Sequence, residues 1–371
     1  MSPHQLPHTP DSRLCLLMGA MHLSMDFTTG WLISQWYLQH PAALFAGIVL
    51  LYNVLAFLLQ PLFALISHKH TRLWLGLALC FAGIASLLSG SSVWINVILI
   101  GAASGLFHVC AGAISLNAAR GDGWRLSWFV APGVMGLFAG LAIGSHSLPW
   151  LLYTIPTVLL IFALILLFIN TSSFGPTEET SSDIQSAETP SLQLRALLKV
   201  TLYGLLFVGT WRSLLWSLYQ VEASFSASTL LSVGLVAAVG KLAGGWMHKQ
   251  WGSEPVILIT PIAALFCFWI AAQTAAAEWL LIGLAFLQAS TSPLLAAINY
   301  CLPQNPAFSA ALGLGTTVAI GGALCWLLAP YIATQISLIL IITLTLLAGL
   351  WLVHFITKTH NEDISQGGDR A

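Results

Sequence analysis

Two side chains that exchange protons stand one helical turn apart in an oily stretch, HLSMDFTTGW, residues 22 to 31. His22 and Asp26 are four residues apart and Thr29 follows three later, so all three share one face of a helix. A charged Asp at the centre of a membrane helix costs roughly 2.5–3.5 kcal/mol on insertion scales. Burial penalises its charged form, which suits a group that must take up a proton and give it back. Imidazole titrates near neutrality, so His22 is placed to share or relay that proton. The plainer alternative is an Asp held neutral by a neighbouring helix and serving only to pack.

Other polar groups recur inside apolar runs. Ser104, His108 and Ser115 form a stripe in 93–118, and Gln288, Ser292 and Asn299 another in 278–300, where Pro293 is able to open the helix. His108 reads equally well as a hydrogen-bonded core residue. Arg212, inside the run 197–219, stays charged at any physiological pH and needs an anion or water. Its candidate partners are Asp26, a carboxylate or phosphate on a substrate, or a structural salt bridge. Lys241 lies about two turns from the end of its run, where its stem reaches the interface, so a snorkelling role is expected. Trp31, Trp211 and Trp216 sit deep in their runs and form either an aromatic wall for an organic substrate or packing between the two halves. The six Cys residues lack CxxC spacing and read as small apolar residues, so neither metal binding nor disulfides are expected.

The scaffold that must hold these groups is set by composition. Of 371 residues 57% are hydrophobic and 7% charged, with a mean hydropathy of +0.86, against about 25% charged in soluble domains. The chain is read as an all-α integral membrane protein. Apolar runs long enough to cross a bilayer fall at 14–35, 42–66, 73–90, 93–118, 126–145, 149–170, 197–219, 227–248, 255–272, 278–300, 307–328 and 331–356, which predicts twelve transmembrane helices. The first run is too long for a cleavable signal peptide. With the N-terminus cytoplasmic, ten of the twelve Lys and Arg residues lie on the cytoplasmic side and Arg212 and Lys241 within spans. Both termini are therefore expected in the cytoplasm.

The stretch 171–196, rich in Ser, Thr, Pro and Glu, reads as a cytoplasmic linker. The expected organisation is a tail (1–13), a six-helix bundle (14–170), the linker (171–196), a second six-helix bundle (197–356) and a tail (357–371). The bundles superimpose on adding 180: Phe27 meets Phe207, Trp31 meets Trp211, Trp36 meets Trp216, and His68-Lys69 meets His248-Lys249. Two pseudo-symmetric six-helix halves in parallel resemble the major facilitator superfamily. That family's loop between helices 2 and 3 reads G-x-x-x-D-R-x-G-R. The aligned ALISHKHTR (64–72) and GGWMHKQWG (244–252) keep basic residues at Lys69, Arg72 and Lys249, but put His68 and His248 where the acid stands. These five are the candidate gating residues. The run FVAPGVMGLFAGLAIG (129–144) resembles a degraded antiporter motif, although glycines four apart also let helices approach closely. HxxxD in span 1 with GLFHVCAGAISLNAAR (105–120) in span 4 is similar to fosmidomycin-resistance-type exporters, with Val109 where those carry Pro.

The resemblance implies that spans 1, 4, 7 and 10 line a central cavity. Asp26 and His22 are then the proton-coupling pair, and Thr29, Trp31, Ser104, His108, Trp211, Arg212, Gln288, Ser292 and Asn299 line the substrate route. No HExxH, phosphate loop or cofactor domain points to an enzyme or a cofactor. The expected function is proton-coupled secondary transport of a small organic molecule across a bacterial inner membrane by a monomer, with no nucleic-acid partner. Export by antiport is favoured. Proton symport of an anionic metabolite, with Arg212 as anion clamp, is one alternative. A non-transporting assembly factor is the other.

Overall fold

The computed structural model describes residues 11–144, 146, 148–169, 192–222, 226–274 and 276–332, and every regular element among them is a helix. In chain order they are α1 (Ser12–Gln39), α2 (Ala42–Asn53), α3 (Gln60–Ser67), α4 (Thr71–Leu87), α5 (Val93–Ala119), α6 (Gly123–Gly144) and α7 (Leu151–Phe168). After the linker come α8 (Leu192–Glu222), α9 (Ala227–Trp251), α10 (Ser253–Thr274), α11 (Ala277–Ala289), α12 (Thr291–Cys301), α13 (Pro306–Ala310) and α14 (Thr317–Ile332). Predicted span 2 is α2 and α3 joined through a π-helical segment, Val54–Leu58. Span 10 is α11 with α12. Span 11 is α13 and α14 joined through a second π-helical segment, Ala311–Thr316.

Seven helical stretches among the described residues are long and apolar enough to cross a membrane, eight if the bent pair α2–α3 counts as one span. The longest helices, α1 with 28 residues and α8 with 31, fall outside that set. They carry Asp26 and Arg212, and their polar groups dilute the apolar run. Two expected boundaries move. Helix α8 starts five residues inside the stretch read as linker, and α1 starts two residues inside the expected tail. The rest of the linker, the C-terminal tail and nearly all of span 12 lie outside the described residues.

Local chemistry explains where the helices start and bend. The Asp11 carboxylate accepts from the amides of Arg13 and Leu14 at 3.0 and 3.1 Å, capping α1. Asp122 does the same for α6 through Trp124 and Arg125, and its other oxygen pairs with the Arg125 guanidinium at 2.9 Å. Arg125 also donates to Ser12 at 2.8 Å, which ties the starts of α1 and α6 together. Pro61 has no amide to offer the Phe57 carbonyl, and the chain answers with the π segment just before it and a 42° bend. In span 10 the break falls at Ser290, three residues before Pro293.

Helices α1 and α6 touch backbone to backbone. A Cβ at Gly136 would overlap the Leu23 carbonyl, and one at Gly30 the Leu137 carbonyl. The glycines of span 5 are thus accounted for by close packing. Helices before and after the linker meet along two seams. In one, α6 lies on α9, with Gly245 against Ser127 at one end and Gly234 against Phe138 at the other. In the other, the two π segments and α3 come together, with Gly315 against the Gln60 amide and the Phe57 carbonyl.

Candidate functional site

The close approach of α1, α5 and α6 creates the first cluster. His22 Nε2 lies 3.1 Å from Asp26 Oδ2 and 3.1 Å from His108 Nε2, and His108 Nε2 lies 3.7 Å from Asp26 Oδ1. All three residues are buried, and the Asp26 side chain keeps 13% of its surface accessible. The outer face of α1 is marked by the exposed Leu16 and Leu23; Asp26 points away from it, toward α5.

The far side of each imidazole is fixed. His22 Nδ1 donates to the Phe129 carbonyl of α6 at 2.9 Å, and its ring stacks on the Phe129 ring at 4.7 Å. His108 Nδ1 donates to the Ser104 carbonyl at 2.7 Å. A neutral imidazole has one N–H, so both hydrogens are committed to Nδ1 and both Nε2 atoms present lone pairs. Two lone pairs and a carboxylate then converge with no hydrogen between them. A proton or another cation at the centre would satisfy such an arrangement. The three donor atoms lie within 4.8 Å of one another, close enough to share a proton or to ligate one metal ion. Around the cluster, Tyr52 of α2 meets Ser104 Oγ at 3.2 Å, and Thr29 is buried within reach of Tyr52.

The second cluster lies across the α6–α9 seam. The buried Arg212 of α8 donates through Nη1 to Gln288 Oε1 at 3.0 Å and to Thr291 Oγ1 at 3.2 Å, and Thr291 also donates to Gln288 at 3.1 Å. No carboxylate among the described residues pairs with Arg212, so of its candidate partners Asp26 is not bonded to it. Its Nε is buried without a partner. His108 and Gln288 are 180 residues apart, and each is the partner its half supplies to the charged residue of α1 or α8.

Lys241 corrects the sequence reading. Its ammonium does not snorkel outward but donates to the Val130 carbonyl of α6 at 3.1 Å, within electrostatic reach of both Asp26 and Arg212. The stem turns inward because α9 lies directly on α6 at that depth.

Other expected route residues are placed apart from these clusters. Trp31 is buried in the core of the first half, against Gly140 and Gly144, while Trp211 packs with Leu215, Leu265 and Leu287 in the second. No shared aromatic wall joins the two; Trp216 of α8 instead meets Phe138 of α6 at 5.8 Å, beside the α6–α9 seam. Ser292 is buried next to Thr291 with its hydroxyl unpaired, and Asn299 lies two turns further along α12. Of the loop residues, His68 and Lys69 are exposed at the end of α3, Arg72 opens α4, and Lys249 is exposed on α9. His248 alone of these enters a seam, with its ring against Gly123.

A cavity of about 600 Å³ lies elsewhere, between α1, the end of α6 and α7, lined by Leu23, Phe27, His146, Trp150 and their neighbours. It opens beside the exposed Leu23 and contains neither cluster, so the clusters, not this groove, define the candidate site. Sequence reasoning missed Tyr52, Thr291 and the carbonyls of Phe129 and Val130. A buried Tyr in span 2 was a usable signal; a backbone carbonyl leaves none.

No protein-family profile matches the chain, and no curated protein matches it. Solved structures do. The chain is similar to a major facilitator superfamily transporter, FucP, in the outward conformation (TM-score 0.63, 14% identity, 92% of this chain and 96% of that one). It is also similar to a variant of the E. coli fucose:proton symporter FucP (0.61, 13%, 92% and 97%). The human organic anion transporter MFSD10 is a third relative in fold (0.65, 15%, 93% and 100%). At these identities the likeness establishes the fold: a multi-pass membrane protein of major facilitator architecture.

Proposed function

We propose that the chain is a proton-coupled secondary transporter that moves a small organic molecule by alternating access, with His22, Asp26 and His108 as the proton site. Support comes from the fold neighbours, which are transporters, one of them a fucose:proton symporter. The observation that carries the reading is the convergence of two Nε2 lone pairs and a carboxylate on α1 and α5.

One proton satisfies that cluster. It turns one imidazole into an imidazolium, supplies the missing N–H, and leaves the group of three electrically neutral. Loss of the proton leaves three acceptors facing one another at 3.1–3.7 Å, an arrangement that must open. It also leaves the Asp26 charge uncompensated, and Lys241 is a cation of the other half within its electrostatic reach. A proton step in the first half therefore acts on the α6–α9 seam, where Lys241 is anchored on Val130. In the exchange cycle the cluster of His22, Asp26 and His108 takes its proton from outside and releases it inward, and the deprotonated cluster admits substrate.

Antiport rests on the likeness of HxxxD and Phe107-His108-Val109 to fosmidomycin-resistance-type exporters. The span 5 glycines no longer add to it, because contact with α1 accounts for them. Proton symport is the second reading, favoured by the FucP likeness. Everted vesicles separate the two. Under antiport, adding substrate dissipates an imposed pH gradient; under symport, substrate entry alkalinises the medium without one. An assembly factor would give no signal in either assay, would tolerate loss of Asp26 and Arg212, and would co-purify with its client.

A further inference from the structure

A buried guanidinium whose hydrogen-bond partners are all neutral points to a ligand. Arg212 uses Nη1 for both of its bonds, to Gln288 Oε1 and Thr291 Oγ1. Gln288 Oε1 is held in turn by the Thr291 hydroxyl. These contacts fix the plane of the guanidinium and engage one nitrogen of three. Nε is buried without a partner, and no hydrogen bond leaves Nη2. The Nε and Nη2 hydrogens point the same way, and this pair takes two oxygens of a carboxylate or phosphonate side by side. The buried hydroxyl of Ser292, the residue after Thr291, is also unpaired.

Charge leads to the same conclusion. Arg212 and Lys241 lie within electrostatic reach of one another, and no acid among the described residues forms an ion pair with either. Asp26 is already engaged by two imidazoles. Two cations without a paired anion are costly in a membrane interior unless a negative group or water joins them.

Resting on the transport reading, we propose that the cargo carries an oxyanion, a carboxylate or a phosphonate, that seats on the Nε–Nη2 edge of Arg212, with Lys241 as the second positive charge. Gln288 and Thr291 are positioning residues that present the guanidinium edge. The carboxylate and phosphonate versions share this recognition and differ in charge and oxygen count.

The test is equilibrium binding to the full-length protein in detergent, read by thermal shift and tryptophan fluorescence. The probes are succinate, methylphosphonate, inorganic phosphate and the neutral succinamide. Succinate or methylphosphonate is expected to stabilise the wild type while succinamide does not, and the stronger of the two names the class. Arg212→Gln is expected to weaken that binding on the order of tenfold to a hundredfold. Arg212→Lys keeps the charge but removes the fork, so it is expected to weaken succinate as well, and it serves if the Gln variant does not fold. The inference is overturned if no anion binds, if succinamide binds as well as succinate, or if both variants bind like the wild type. A protein that binds anions through Arg212 yet moves no protons would sink the transport reading and leave this one standing. Proton exchange driven by a neutral solute would do the reverse.

Discussion

Asp26 carries the strongest single-residue prediction. Replacing it with Asn removes the acid but keeps the shape, so the protein should stay folded and monodisperse while substrate-driven proton movement falls on the order of tenfold or more. Proton flux in vesicles, checked against size-exclusion profiles, reads this directly. His108→Gln should behave alike, because an amide cannot carry the shared proton. At this scale the sequence singles out the positions where a charge is intrinsically costly in lipid. Asp26, Arg212 and the i,i+4 spacing of His22 announced themselves on that ground. It was a poor guide where the answer depends on a neighbour. Lys241 looks like a residue that reaches for the interface, and what turns it inward is the Val130 carbonyl of a helix 111 residues away in sequence. Trp31 and Trp211 matched in the repeat, yet each is claimed by its own half's packing.

Among the helices, α1 and α6 form the contact on which the first cluster depends. A Cβ at Gly133 would overlap the His22 ring, whereas one at Gly136 would overlap the Leu23 backbone. These two glycines should therefore fail differently. Gly136→Leu overpacks a backbone contact and should destabilise the fold by about 1–3 kcal/mol or more, visible as a lower melting temperature. Gly133→Ala should cost less stability but displace His22, so transport falls while the protein remains folded. Equal losses of stability in the two variants would show that Gly133 acts only in packing. Helix positions were legible from apolar runs because a bilayer demands about 20 such residues. The π segments were not. Pro61 hints at the first, but the second, at Ala311–Thr316, contains no proline. It lies where Gly315 comes against Gln60 and Phe57, a contact no local pattern encodes.

Among the described residues the helices before and after the linker meet at two seams, α6 on α9 and the facing π segments, with the His22–Asp26–His108 cluster on one side of the first and Arg212 on the other. The basic residues of the loops predict an orientation. A thiol introduced at the exposed Lys69, between α3 and α4, should react only from the cytoplasmic face. One at the exposed Ser91, between α4 and α5, should react only from the opposite face. Labelling of both from one side would overturn the topology. The repeat predicts a twofold plan, because paired Trp and His-Lys positions persist at a fixed offset of 180. The measurement closest to the central claim is proton flux in everted vesicles under an imposed pH gradient, comparing wild type with Asp26→Asn across a panel of organic anions. The expected result is a substrate-dependent collapse of the gradient in the wild type and none in the variant. An equal collapse in both would contradict a proton held by His22, Asp26 and His108.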